Sequence, residues 1–232
     1  MAIDATTAGL ATENEVVTSN ASICLTDISA GYWHGQPVLD GVSLILQGCG
    51  WFHLAAPNGA GKSTLFEVLA GYLQPTSGKV SVGGEPVLAG TRVTALRLQR
   101  SRPGLVPGIT MRDHLHLYAR RYGAPLDTLL KLTHTLGMDE HLAKPPEALS
   151  TGTVKKLWFV CHAAGDEPVW CLDEPFDGVD VESAAVMAAH LGSASSDRLV
   201  LITSHVLPAG VEADEPPLSA GAPFVLKELR HV

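Results

Sequence analysis

Between residues 50 and 64 the chain passes from an apolar run, Trp51-Phe52-His53-Leu54-Ala55-Ala56, through Pro57-Asn58-Gly59-Ala60-Gly61 into Lys62-Ser63-Thr64. No other stretch restricts the fold as much. An apolar run stopped abruptly by proline, asparagine and glycine predicts a buried strand entering a tight loop. Leu65, Val68, Leu69 and Tyr72 follow at helical spacing, with Gly71 near the end of the segment. A loop of small residues between strand and helix leaves successive backbone N–H groups pointing inward, making an anion nest at a helix N-terminus. Gly59 and Gly61 permit backbone angles and a close approach that a side chain would block. In this pattern Lys62 reaches the β- and γ-phosphates of a nucleotide and the Ser63 hydroxyl ligates Mg²⁺. Asn58, Ala60 and Thr64 complete the cradle. Ala56 stands where such loops usually begin with glycine, and it is the smallest replacement available.

Two further apolar runs carry chemistry at their ends. Val169-Trp170-Cys171-Leu172 delivers the adjacent acids Asp173 and Glu174, and Leu199–Thr203 leads into Ser204 and His205. In open α/β sheets, ligands bind at the C-terminal edge of the strands. There Asp173 suits a Mg²⁺ ion, directly or through water, and Glu174 suits the general base that polarises an attacking water. His205 would hold the terminal phosphate and sense its loss.

Composition limits the alternatives. The 232 residues are 46% hydrophobic and 17% charged, enough apolar matter for a sizeable core and too much for a disordered chain. No stretch approaches the roughly 18 apolar residues of a membrane span. The opening residues lack the basic start and apolar block of a secretory signal, so a cytosolic protein is expected. Cys24, Cys49, Cys161 and Cys171 form no CxxC pair, which predicts buried free thiols rather than zinc or a disulfide framework. His114 and His116 lie two apart in a helical segment and read as solvated. The net charge of −8 argues against a general nucleic-acid binder. Yet seven arginines and a single acid, Asp113, fall between Arg92 and Arg121, a basic island on an acidic chain. It is either a surface for something negative or a solvated helical face.

Residues 1–20 are polar and read as a loose tail, followed by a domain over 21–232. SICLTDISAGYW and QPVLDGVSLILQG predict neighbouring antiparallel strands, and KVSVGGEPV a strand and turn. From Thr110 to about Leu142 the period is helical: Leu115, Leu117, Tyr118 and Tyr122, then Leu129, Leu132, Leu136 and Met138, stopped by Pro145 and Pro146. Helix and strand patterns then alternate to His205, which implies a parallel sheet covered by helices. Pro208–Pro223 reads as loop and FVLKEL as a last edge strand.

Together these residues resemble the nucleotide-binding domain of ABC transporters, from about Ser22 to His205. The distinguishing element is Leu149-Ser150-Thr151-Gly152-Thr153, similar to the family's LSGGQ signature, with Ser150 and Gly152 matching and Thr151 and Thr153 departing. The resemblance implies an α/β fold: a P-loop NTPase core with a parallel sheet, an N-terminal antiparallel β subdomain, and an inserted α-helical subdomain at about 105–165. It implies ATP and Mg²⁺ as cofactors, Tyr32 stacking on adenine with Trp33 as the alternative, and Asp180 closing a loop that passes between subunits. The glutamine of the family falls in register on Ser101 or Arg102, with Gln99 two or three residues early.

The implied mechanism needs two ATP-binding subunits, in a homodimer or heterodimer. Ser150 and Gly152 of one would cap phosphates held by the other, and hydrolysis would release the pair. With no spanning segment here, the resemblance implies an ATPase working on the cytoplasmic face for a separate membrane-spanning subunit, with export preferred over import. The resemblance implies that the region of the arginine island faces that subunit, where the arginines would meet acidic loops or anionic headgroups. The alternative is a non-transport ABC ATPase acting on ribosomes or nucleic acid.

Overall fold

The computed structural model describes residues 20–32, 37–213, 218–219 and 224–231. The tail expected over 1–20 therefore lies almost wholly outside the described residues, as does Trp33. In chain order the strands are β1 (Ser22–Ala30), β2 (Leu39–Gln47), β3 (Gly50–Ala55), β4 (Ser77–Val82), β5 (Glu85–Pro86), β6 (Leu96–Gln99), β7 (Val169–Asp173), β8 (Leu199–Thr203), β9 (Val211–Ala213), β10 (Leu218–Ser219) and β11 (Val225–His231). The helices are α1 (Lys62–Leu69), α2 (Met111–Tyr122), α3 (Leu126–Thr135), α4 (Thr151–His162) and α5 (Val181–Ala194).

An antiparallel sheet of order β2-β1-β4-β5 comes from the N-terminal half, as the short glycine-bounded runs predict. The second sheet has the order β10-β11-β3-β8-β7-β6. Within it β3, β8, β7 and β6 are parallel, whereas β11 runs antiparallel to β3. The sheet is therefore mixed, and FVLKEL is not an edge strand: β11 lies between β3 and the short strands β9 and β10.

Every residue of β7 and β8 is buried, because both faces of the sheet are covered. Alternation along the strands sorts side chains into two cores. Trp51, Trp170, Leu172, Val200 and Ile202 pack with α2–α5. Phe52, Leu54, Cys171, Leu199 and Leu201 pack with α1 and the antiparallel sheet.

Several local expectations change. Helix α1 stops at Leu69 because Gly71 adopts φ +72 and the Tyr72 N–H turns back to the Glu67 carbonyl, 2.9 Å away. Tyr72 is left exposed, as is Leu117 on α2. His114 is fully buried rather than solvated. Its Nδ1 donates to the Thr110 carbonyl at 2.9 Å and its Nε2 accepts the Val106 N–H at 2.9 Å, so both ring nitrogens are satisfied inside the fold. Cys161 and Cys171 are buried thiols pushed up in pKa by desolvation, but Cys24 is half-buried and Cys49 exposed. Strand β6 has no counterpart among the sequence expectations.

Candidate active site

The chain leaves β3 at Ala55 and enters α1 at Lys62 through a loop built on two left-handed glycines. Gly61 is the helix N-cap at φ +95, and a Cβ there would come within 2.8 Å of Leu39 Cδ2 on β2. Gly59 has φ +77 and open space where a Cβ would be, so only its backbone angle demands glycine. No side chain caps α1, which leaves its first N–H groups directed at the loop's hollow. Lys62 Nζ bends back along the loop to donate to the Ala56 carbonyl at 2.9 Å and more weakly to that of Pro57. The resulting cavity, of about 350 Å³, is lined by Tyr32, Asn58, Gly59, Gly61, Lys62, Ser63 and Thr64 on the loop side. Ala60 belongs to the loop without lining the cavity.

The opposite wall is the C-terminal edge of the sheet. Ser63 Oγ donates to Asp173 Oδ2 at 2.7 Å, joining the helix start to the end of β7. Asp173 Oδ1 accepts the Thr203 hydroxyl at 2.7 Å, and that same hydroxyl accepts the Glu174 N–H at 3.0 Å. Glu174 has φ +50, a costly angle for a residue with a side chain, and one concentrated at functional sites. Its carboxylate meets His205 twice: Oε2 accepts the backbone N–H at 3.1 Å, and Oε1 lies 3.5 Å from the ring Nε2. His53 on β3 anchors the same segment, its Nε2 donating to the Ser204 carbonyl at 2.9 Å, while burial lowers its pKa.

The sequence does not single out Thr203: a hydroxyl at the end of an otherwise apolar strand is its sole signal. Its position between the two acids gives a test. Thr203→Val keeps the shape but strips Asp173 of a donor and leaves the Glu174 N–H without its acceptor. Such a loss costs about 1–3 kcal/mol. Chemical denaturation of the variant should show a drop of that size, with catalytic turnover falling more than nucleotide affinity.

Tyr32 stands at the cavity mouth, half in solvent. Its hydroxyl donates to Glu67 Oε2 at 2.8 Å and lies 3.4 Å from Thr64 Oγ1. Gln99, by contrast, is the last residue of β6, 2% exposed, and does not reach the cavity. Ser101 lines it instead, and Arg102 borders a smaller hollow beside Ser63 and Asp173.

Ser150, Gly152 and Asp180 are not brought to this cavity. Ser150 caps α4 and accepts the Thr153 N–H at 3.2 Å. A Cβ on Gly152 would come 3.2 Å from the Gly178 carbonyl, so the signature packs against the loop after the acids. Asp180 caps α5, accepting the Ser183 N–H at 2.8 Å and sitting 3.4 Å from Lys156 Nζ on α4. The Ser183 backbone bond is the main reason its carboxyl lies below the usual range.

Comparison with known proteins agrees with this geometry. The family model described as ABC transporter matches residues 39–177. The chain is 33% identical over 184 residues to the cytochrome c biogenesis ATP-binding export protein CcmA of Cupriavidus pinatubonensis, covering 77% of this chain and 81% of that one. It is 30% identical to the Nod factor export ATP-binding protein I of Sinorhizobium fredii, covering 82% of this chain and 57% of the other. Other relatives are far longer, the match spanning 10% of their length. A dimeric ATP-binding cassette in a post-hydrolysis state with ADP and phosphate shares the fold, with a TM-score of 0.71, 18% identity, and coverage of 79% of this chain and 88% of that one. A glycine-built loop beside paired acids at the C-terminal edge of a mostly parallel sheet, and a family match over more than half the chain, lead to one conclusion: it belongs to the ABC transporter family, as an ATP-binding, ATP-hydrolysing subunit.

Proposed function

We propose that this subunit hydrolyses ATP between two nucleotide-binding subunits to drive export through a separate membrane-spanning partner, at the cytoplasmic face. The observation that carries the reading is the continuous hydrogen-bonded path Ser63–Asp173–Thr203–Glu174–His205 on the wall opposite the phosphate loop. It ties the hydroxyl that would ligate Mg²⁺ to the group that would activate water.

The loop N–H groups and Lys62 would bind the β- and γ-phosphates, and Tyr32 would stack on the adenine. Ser63 and Asp173 present adjacent hard oxygen donors, a set that suits Mg²⁺, which when bound would neutralise charge on the phosphates. Glu174 would accept a proton from the attacking water, with His205 beside it to hold the γ-phosphate. We place the helical subdomain at about 105–165, within a domain spanning 21–232. Ser150 and Gly152 lie off their own cavity, at the start of α4, where helix N–H groups favour an anion. That placement supports their acting on the nucleotide of a second subunit, with Asp180 setting the loop between them. Export is supported by the two relatives named as export proteins.

Purification from native membranes tests the reading. A multi-spanning protein should co-purify with this subunit in detergent, and its ATPase rate should rise in the complex. Recovery with ribosomes or nucleic acid instead would overturn the transport assignment.

A further inference from the structure

Glu67 is the sole acid of α1, and its own helix does not explain it. The residues three and four away on either side, Ser63, Thr64, Ala70 and Gly71, are uncharged, so no pairing along the helix accounts for the carboxylate. Its side chain is 24% exposed, and both oxygens are engaged across the fold. Oε2 accepts the Tyr32 hydroxyl at 2.8 Å, and Oε1 lies 3.1 Å from Nη2 of Arg100, the residue after β6. Arg100 is held in turn. Its guanidinium lies 4.7 Å from the centre of the Tyr72 ring, and its carbonyl accepts the Trp158 Nε1–H at 2.7 Å. A surface pair of Glu67 and Arg100 alone would contribute little. The bond to Tyr32 sets this carboxylate apart.

Tyr32 follows β1 by two residues and lines the mouth of the nucleotide cavity, 51% exposed. An aromatic side chain so exposed, beyond the end of a strand, keeps its rotamer freedom unless something holds its tip. The O–H···O⁻ bond to Glu67 does so, being charge-assisted and stronger than a neutral one. With Arg100 on the other carboxylate oxygen, the acceptor is itself restrained. Partial burial raises the pKa of Tyr32 and Glu67 pushes the same way, so the phenol keeps the proton it donates. Glu67 does not line the nucleotide cavity, and any effect it has on a nucleotide passes through Tyr32.

We propose that Glu67 is a positioning residue for the nucleobase: it holds the Tyr32 ring at the cavity mouth before the nucleotide arrives, so that stacking has no further side chain to order. The inference rests on the reading of Tyr32 as the ring that stacks on the base, and adds the group that prepares it. Ordering a free aromatic side chain at the moment of binding lowers affinity by about 3–10-fold, and a tether formed beforehand removes that loss. The effect is confined to the base, since the phosphates are held by the loop and Lys62.

Calorimetric titration of the full chain with ADP and with pyrophosphate separates the base from the phosphates that both ligands share. Tyr32→Phe keeps the ring and removes the hydroxyl, whereas Glu67→Ala keeps the hydroxyl and removes its acceptor. Each should weaken ADP binding about 3–10-fold. Pyrophosphate affinity should stay within about twofold of the parent. The double variant should lose no more than either alone, because the two changes break one bond. Should Glu67→Ala not fold, Tyr32→Phe, at a half-exposed position, still reads the tether. Equal weakening of ADP and pyrophosphate would make the role of Glu67 structural and overturn the proposal, as would additive losses in the double variant. ADP affinity unchanged in both single variants overturns it too, and Tyr32→Ala then tells what failed. A loss of ADP binding there removes the tether and keeps the stack, while no loss removes the stacking reading itself.

Discussion

Glu174→Gln binds ATP about as well as the parent chain and loses turnover by about 10²–10⁴-fold, the usual contribution of a positioned general base. The substitution keeps nearly the same shape, and the new side-chain carbonyl can still accept the His205 N–H that Oε2 now takes at 3.1 Å. The left-handed turn at residue 174 and its bond to Thr203 are backbone features, so they are unaffected. What disappears is the negative charge and its capacity to take a proton. The loss corresponds to about 2.7–5.4 kcal/mol of transition-state stabilisation. Because the proposed pair of subunits would no longer be released by hydrolysis, ATP should convert the variant to a stable dimer on size-exclusion chromatography. Phosphate release unchanged by the substitution would remove Glu174 from the role of base.

The parts of the site that could be read from the sequence are those where chemistry forces residue type at short range. Gly59, Gly61, Lys62 and Ser63 are adjacent because a phosphate nest needs consecutive N–H groups, and Asp173 and Glu174 sit together because one strand end delivers both. Parts that depend on distant partners were hidden. Strand β6 reads LRLQ, and its alternate residues Arg97 and Gln99 look solvent-facing, yet both are buried. Arg97 is tolerated there because Glu167, seventy residues on, and the Tyr122 ring face it. His162 shows the same problem: it is enclosed by Tyr118, Trp158 and Tyr122, and burial lowers its pKa to about 4. Thr203 acquires its importance only once β7 and β8 are paired in register, Asp173 opposite Thr203. The antiparallel placement of β11 likewise depends on which strand it meets, which hydropathy does not encode.

Lys62→Ala should raise the dissociation constant for ATP by about 10–150-fold, the equivalent of one charge-assisted hydrogen bond worth about 1.5–3 kcal/mol. The fold should barely notice. Lys62 Nζ bonds the carbonyls of half-buried Ala56 and exposed Pro57, where water can replace it, so thermal stability should change little. Affinity and stability thus separate, unlike in Thr203→Val, where a buried hydroxyl serves both. The loss should also depend on the ligand. A lysine that reaches the β- and γ-phosphates matters more to ATP than to ADP, and the ATP-over-ADP preference should shrink in the variant. The remaining binding would come from the N–H groups of the loop and α1 and from contacts to the base. Equilibrium titration with both nucleotides, beside a melting curve, reads each quantity. An ATP dissociation constant that did not move would mean that the ammonium only ties the loop to itself, and the cradle would have to be assigned to backbone groups alone.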